Sequence, residues 1–167
     1  VAVGTETLRS NTTASCNTAV GNTAMFCNTT GHHNTAIGQS SLLNNKTGCY
    51  NTALGNNSLQ YNVSGNSNTA VGRNALYSNT NGVGSVAVGL CALFCSNTNN
   101  NTAIGKLAGA CVTSGNLNTA IGNAALKGHD TTVTGNENTA VGYFAGGRIS
   151  CGTANVAIGS RAMCGLS

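Results

Sequence analysis

"NTAIGQSSLLNNKTGCY" (residues 34–50) is followed without a break by "NTALGNNSLQYNVSGNS" (residues 51–67). The second line restates the first, with like residues at like places. Aligned on NTAxG, the phrase begins at Asn17, Asn34, Asn51, Asn68, Ser85, Asn101, Asn118, Asn138 and Asn155. A partial copy, VAVG, opens at Val1. Successive starts are 17, 17, 17, 17, 16, 17, 20 and 17 residues apart. A fixed period of this size predicts one structural unit per repeat, stacked into a solenoid.

Element type follows from the places within the phrase. The third is always Ala and the fifth always Gly, from Ala2 and Gly4 to Ala157 and Gly159. The fourth is always aliphatic: Val3, Val20, Ile37, Leu54, Val71, Val88, Ile104, Ile121, Val141 and Ile158. Short β-branched runs punctuated by glycine predict strands joined by corners, not helices. The expectation is an all-β parallel β-solenoid, a β-helix or β-roll of about ten coils, forming a single domain over 1–167. At about 3.3 Å per residue one repeat traces roughly 56 Å, one narrow circuit. Stacked at about 4.8 Å, ten coils make a rod roughly 48 Å long, with like residues above like. Asn17, Asn34, Asn51 and Asn68 are then expected to form an amide ladder.

Side chains alternate along a strand, so the second and fourth places share a face. On apolar size, that face is assigned to the core, with Val20, Ile37, Leu54, Val71, Val88, Ile104, Ile121, Val141 and Ile158 as the buried column. The ninth place reads as a second core column: Leu8, Met25, Leu42, Leu59, Leu76, Leu93, Gly109, Leu126, Gly146, Met163. Where it is Gly, Leu107 and Phe144 two places earlier are expected to supply the missing volume.

The chain has 26 Asn, 22 Thr and 23 Gly, no Pro, and only 6 % charged residues. Its net charge of +4 is carried by scattered Lys and Arg that form no stripe for phosphates, so no nucleic-acid partner is expected. No apolar run approaches the roughly 20 residues of a membrane span. Glu6, Asp130 and Glu137 lie in different coils, His32 and His33 share a turn, and His129 adjoins Asp130. No nucleophile elbow, phosphate loop or zinc-protease pattern is present, so neither catalysis nor a cofactor or metal is expected.

Eight Cys without a metal-ligand pattern point to an oxidising compartment. Cys95 and Cys111 both occupy the eleventh place of neighbouring coils, within the Cα separation a disulfide accepts. Cys151 and Cys164 are a second candidate pair across the last two coils. Cys16, Cys27, Cys49 and Cys91 have no assigned partner, and the competing reading is that the cysteines are free thiols serving as small apolar residues. Asn11, Asn28, Asn45 and Asn62 begin N-x-[ST] sequons one repeat apart, and Asn56 and Asn100 begin two more. They read either as a glycan-coated outer edge or simply as turn residues.

"NTAVGRNALYSNTNG" (68–82) resembles the repeats of fibrous adhesins and of phage or giant-virus tail fibres. "SVAVGLCAL" (85–93) is more loosely similar to the head coils of trimeric autotransporter adhesins, which form parallel β-rolls. The likeness covers the whole chain. It implies a structural or adhesive fibre subunit at a cell or virion surface, self-associating as a trimer or head to tail, with a host-surface ligand. Both ends stop within a repeat and carry no polar or helical cap, which predicts head-to-tail polymerisation or excision from a longer rod. The alternatives are a viral tail-fibre shaft and an ice-binding solenoid, the latter disfavoured because the Thr column is single, is broken at Val86 and Val156, and belongs to the face assigned to the core.

Overall fold

The computed structural model describes residues 1–128 and 132–164. Ten strands form one parallel sheet in chain order. They are β1 (Ala2–Val3), β2 (Thr18–Val20), β3 (Thr35–Ile37), β4 (Thr52–Leu54), β5 (Thr69–Val71), β6 (Val86–Val88), β7 (Thr102–Ile104), β8 (Thr119–Ile121), β9 (Thr139–Val141) and β10 (Val156–Ile158). Register is repeat on repeat: Thr35 pairs with Thr52, Ala36 with Ala53 and Ile37 with Leu54. The 20-residue coil keeps this register, pairing Ala120 with Ala140. The molecule is the expected β-solenoid, one coil per repeat, and no described residue is helical.

The strand faces are the reverse of the sequence expectation. The alanines point inward, Ala19, Ala36, Ala53, Ala70, Ala87 and Ala103 being fully buried. The aliphatic column Val20, Ile37, Leu54, Val71, Val88, Ile104, Ile121, Val141 and Ile158 points outward. Ile37 is 43 % exposed and Ile158 70 %. The reason is width. A Cβ built on Gly146 or Gly109, in the ninth column, lies 3.2 Å from Ala140 Cβ or 3.7 Å from Ala103 Cβ. The ninth column thus reaches across the coil to the alanines. Leucine on one wall leaves room only for a methyl on the other, and a larger residue there overpacks the interior.

The ninth column is core as expected, with Met25, Leu42, Leu59, Leu76 and Leu126 fully buried. The source of compensating volume differs from expectation. Leu107 and Phe144 remain half-exposed. Gly109 is covered by Leu93 of the preceding coil and by Val112, and Gly146 by Ile149 and by Leu126 of the preceding coil, Val112 and Ile149 lying three places further on. In the coils of Leu8, Met25, Leu42, Leu59 and Leu76 that twelfth place is Asn11, Asn28, Asn45, Asn62 or Asn79, and in the coil of Leu93 it is Ser96. Two interiors therefore recur along the rod: leucine or methionine with asparagine in the first five coils, and glycine with valine or isoleucine in the seventh and ninth. The long coil combines the two, burying both Leu126 at its ninth place and Val133, which bridges to Val112.

The corners are unusual. Places seven and nine carry positive φ in every described coil, including Met25 (51°), Leu42 (49°) and Leu59 (49°). Left-handed backbone costs a non-glycine residue roughly 1–2 kcal/mol. Here each such residue is pinned by neighbours. Leu42 N–H donates to Ser58 O of the next coil (3.0 Å), and Asn45 N–H closes a turn on Leu42 O (3.1 Å).

Candidate functional surfaces

Two hydrogen-bonded ladders run inside the rod. The first-place asparagines form one. Asn34 Oδ1 accepts from Asn51 N–H (2.9 Å), and Asn34 Nδ2 donates to Gly48 O at the far end of its own coil (2.8 Å). The expected Asn17–Asn34–Asn51–Asn68 ladder thus exists, but it joins side chain to backbone. Direct amide-to-amide bonds join this column only higher up, as from Asn138 Nδ2 to Asn118 Oδ1 (3.1 Å).

The twelfth place carries an amide-to-amide ladder that the sequence reading missed. Asn28 Nδ2 donates to Asn11 Oδ1 (2.9 Å), Asn45 to Asn28 (2.8 Å), Asn62 to Asn45 (2.7 Å) and Asn79 to Asn62 (2.8 Å). Each also donates its second N–H to a corner carbonyl, as Asn45 does to Gly48 O (3.0 Å). Every bond has the same polarity, and the run ends at Asn79, whose buried Oδ1 lacks a partner among the described residues. The next coil has Ser96 there, which is turned onto Thr98 Oγ1 (2.8 Å).

These residues are the sequons. Asn28, Asn45 and Asn62 are fully buried, so the outer glycan line read from sequence is corrected: the spacing marks an internal ladder. A sugar on Nδ2 removes a donor hydrogen and has no room. Asn11 is half-buried, donating to Ala14 O (3.1 Å), while Asn56 is half-exposed and Asn100 exposed. In a secreted preparation, peptide mass spectrometry is expected to find Asn28, Asn45 and Asn62 bare; a glycan on Asn45 in folded protein contradicts the ladder.

All eight cysteines are thiols. Cys95 and Cys111 stand one above the other, and the Cys95 pKa is raised first by burial and then by Cys111 beside it. Cys151 and Cys164 are not aligned. They occupy the fourteenth and tenth places of their coils, and Cys164 Sγ donates to Phe144 O (2.7 Å). A raised pKa leaves less thiolate at a given pH, so iodoacetamide near neutral pH should modify exposed Cys16 and Cys151 well before Cys95. Equal rates at Cys95 and Cys16 contradict the placement.

The other polar candidates are dispersed. His32 Nδ1 accepts from Ser15 N–H (3.0 Å), and His33 stacks on Tyr50 with centroids 5.0 Å apart. Glu6 pairs with Arg9 (3.0 Å). His129 and Asp130 lie outside the described residues. Among the described residues, no three His, Cys, Asp or Glu side chains converge, and no helix is long and apolar enough to cross a membrane.

What the outside offers is a ruled surface. Thr18, Thr35, Thr52 and Thr69 form one outward row along the sheet, with Val20, Ile37, Leu54 and Val71 in a parallel row beside it. Neither row holds a charged residue. On another edge Phe94 stacks on Tyr77 (4.9 Å), and Tyr77 meets Tyr61 edge to face (5.0 Å). No family model, no curated protein and no solved structure matches the chain.

Proposed function

We propose that this chain is a structural rather than catalytic element, a segment of an extracellular fibre that lengthens by stacking coil on coil. The observation that supports the reading is that coil templates coil: strands and corners repeat in register along the whole rod, and the asparagine ladders add side-chain bonds between coils over parts of it. A viral tail-fibre shaft makes the same mechanical demand. Electron microscopy of concentrated protein is expected to show rods longer than the roughly 48 Å of ten coils. Monodisperse monomers by light scattering at high concentration sink the polymer.

A second reading gains from the structure. The Thr row faces solvent rather than the core, flanked by an aliphatic row and free of charge, so a regular array of hydroxyls and methyls is presented to water. Val86 and Val156 interrupt it. A thermal-hysteresis assay decides: measurable hysteresis supports an ice-binding solenoid, and none excludes it.

A further inference from the structure

We infer that the cleft between Tyr143, Phe144, Arg148 and Arg161 is a binding site for an acidic sugar, a pyranose ring carrying a carboxylate. The cleft encloses about 300 Å3. It exists because the ninth coil departs from the others. Its tenth place is Gly147, making it the one coil without a side chain there, where four others carry Phe26, Leu43, Tyr77 and Phe94 and the rest Arg9, Gln60, Ala110, Lys127 and Cys164. The Phe144 ring occupies the vacated space, its Cδ1 and Cε1 each 2.5 Å from where a Gly147 Cβ would stand. That ring and Tyr143, with centroids 6.2 Å apart and planes tilted by 47°, form an apolar wall.

Cations close the other side. Arg161 belongs to the next coil and is held over this one, its N–H donating to Tyr143 O (2.7 Å). Its guanidinium carbon lies 5.9 Å from the Tyr143 ring centroid. Arg148 lines the same cleft, and among the described residues no acidic side chain does. Two guanidiniums facing one space without a carboxylate between them favour an anion, and their planar forks match a carboxylate bidentately. An apolar wall beside them selects an anion with a ring attached. The C–H face of a pyranose meets the electron-rich faces of Tyr143 and Phe144.

The test is a titration of the full chain with glucuronate, glucose and inorganic sulfate, followed by NMR shifts. Glucuronate is expected to shift resonances of Tyr143 and Arg161 and to bind about tenfold more tightly than either glucose or sulfate. The R148Q/R161Q variant, on exposed side chains, should keep the wild-type melting temperature and lose that binding about tenfold or more. Equal binding of sulfate, equal binding of glucose, no glucuronate binding, or an unaffected double variant each overturns the proposal.

Discussion

Gly55→Ala is expected to unfold the middle of the rod. At φ +134°, Gly55 lies where other residues pay backbone strain, and a Cβ there would stand 2.7 Å from both C and O of Gly72 in the next coil. Strain of about 1–3 kcal/mol combines with overpacking of about 1–3 kcal/mol. Backbone cannot rotate away as a side chain can, so the two effects act together. The sum, about 2–6 kcal/mol, is a large fraction of the whole stability of a small domain, about 5–15 kcal/mol. In a stack held by nearest neighbours, such a break separates the coils below from those above. Gly159→Ala is the control. Gly159 also has positive φ (+116°), but a Cβ added to it would meet no described atom within 4 Å. In the dilute, unpolymerised chain it should cost only the strain. Urea melts followed by circular dichroism separate them, and a Gly55 variant no weaker than the Gly159 variant refutes coil-on-coil contact at this corner.

Asn45→Ala is the second large effect. Asn45 donates to Asn28 Oδ1 and Gly48 O and accepts from Asn62 Nδ2. Gly48 O keeps Asn34 as a donor. Asn28 Oδ1 and one Asn62 hydrogen lose theirs inside the rod, at about 1–3 kcal/mol each. Asn79→Ala leaves only Asn62 Oδ1 in that state, because Asn79 Oδ1 already lacks a partner among the described residues. The Asn45 variant should therefore be the weaker of the two by about 1–3 kcal/mol. Equal urea midpoints contradict the ladder's directional wiring.

Period, strand positions and the leucine column were legible because each is a statement about spacing. Facing was not. Val and Ile at the fourth place look like core by size, and the decisive signal was the residue that never varies. Ala at the third place in all ten copies marks a wall approached too closely for anything larger. The same bias hid the second ladder. Asn28, Asn45 and Asn62, each followed by a Ser or Thr two residues on, were read as surface sequons, although their column changes to Val112, Val133 and Ile149. A place that accepts valine in some coils and asparagine in others is an interior place with two solutions. The aromatic–arginine cleft lay beyond reach, because it needs Phe144, at the seventh place, to cover Gly147, at the tenth.

Solvent paramagnetic relaxation of the methyl groups tests most directly which strand face lines the core. With a soluble paramagnet present, the methyls of Ala36, Ala53, Ala70 and Ala87 should stay sharp, while those of Ile37, Ile104 and Ile121 broaden. Sharp isoleucine and broadened alanine signals would place the aliphatic row inside and contradict the alanine-walled interior.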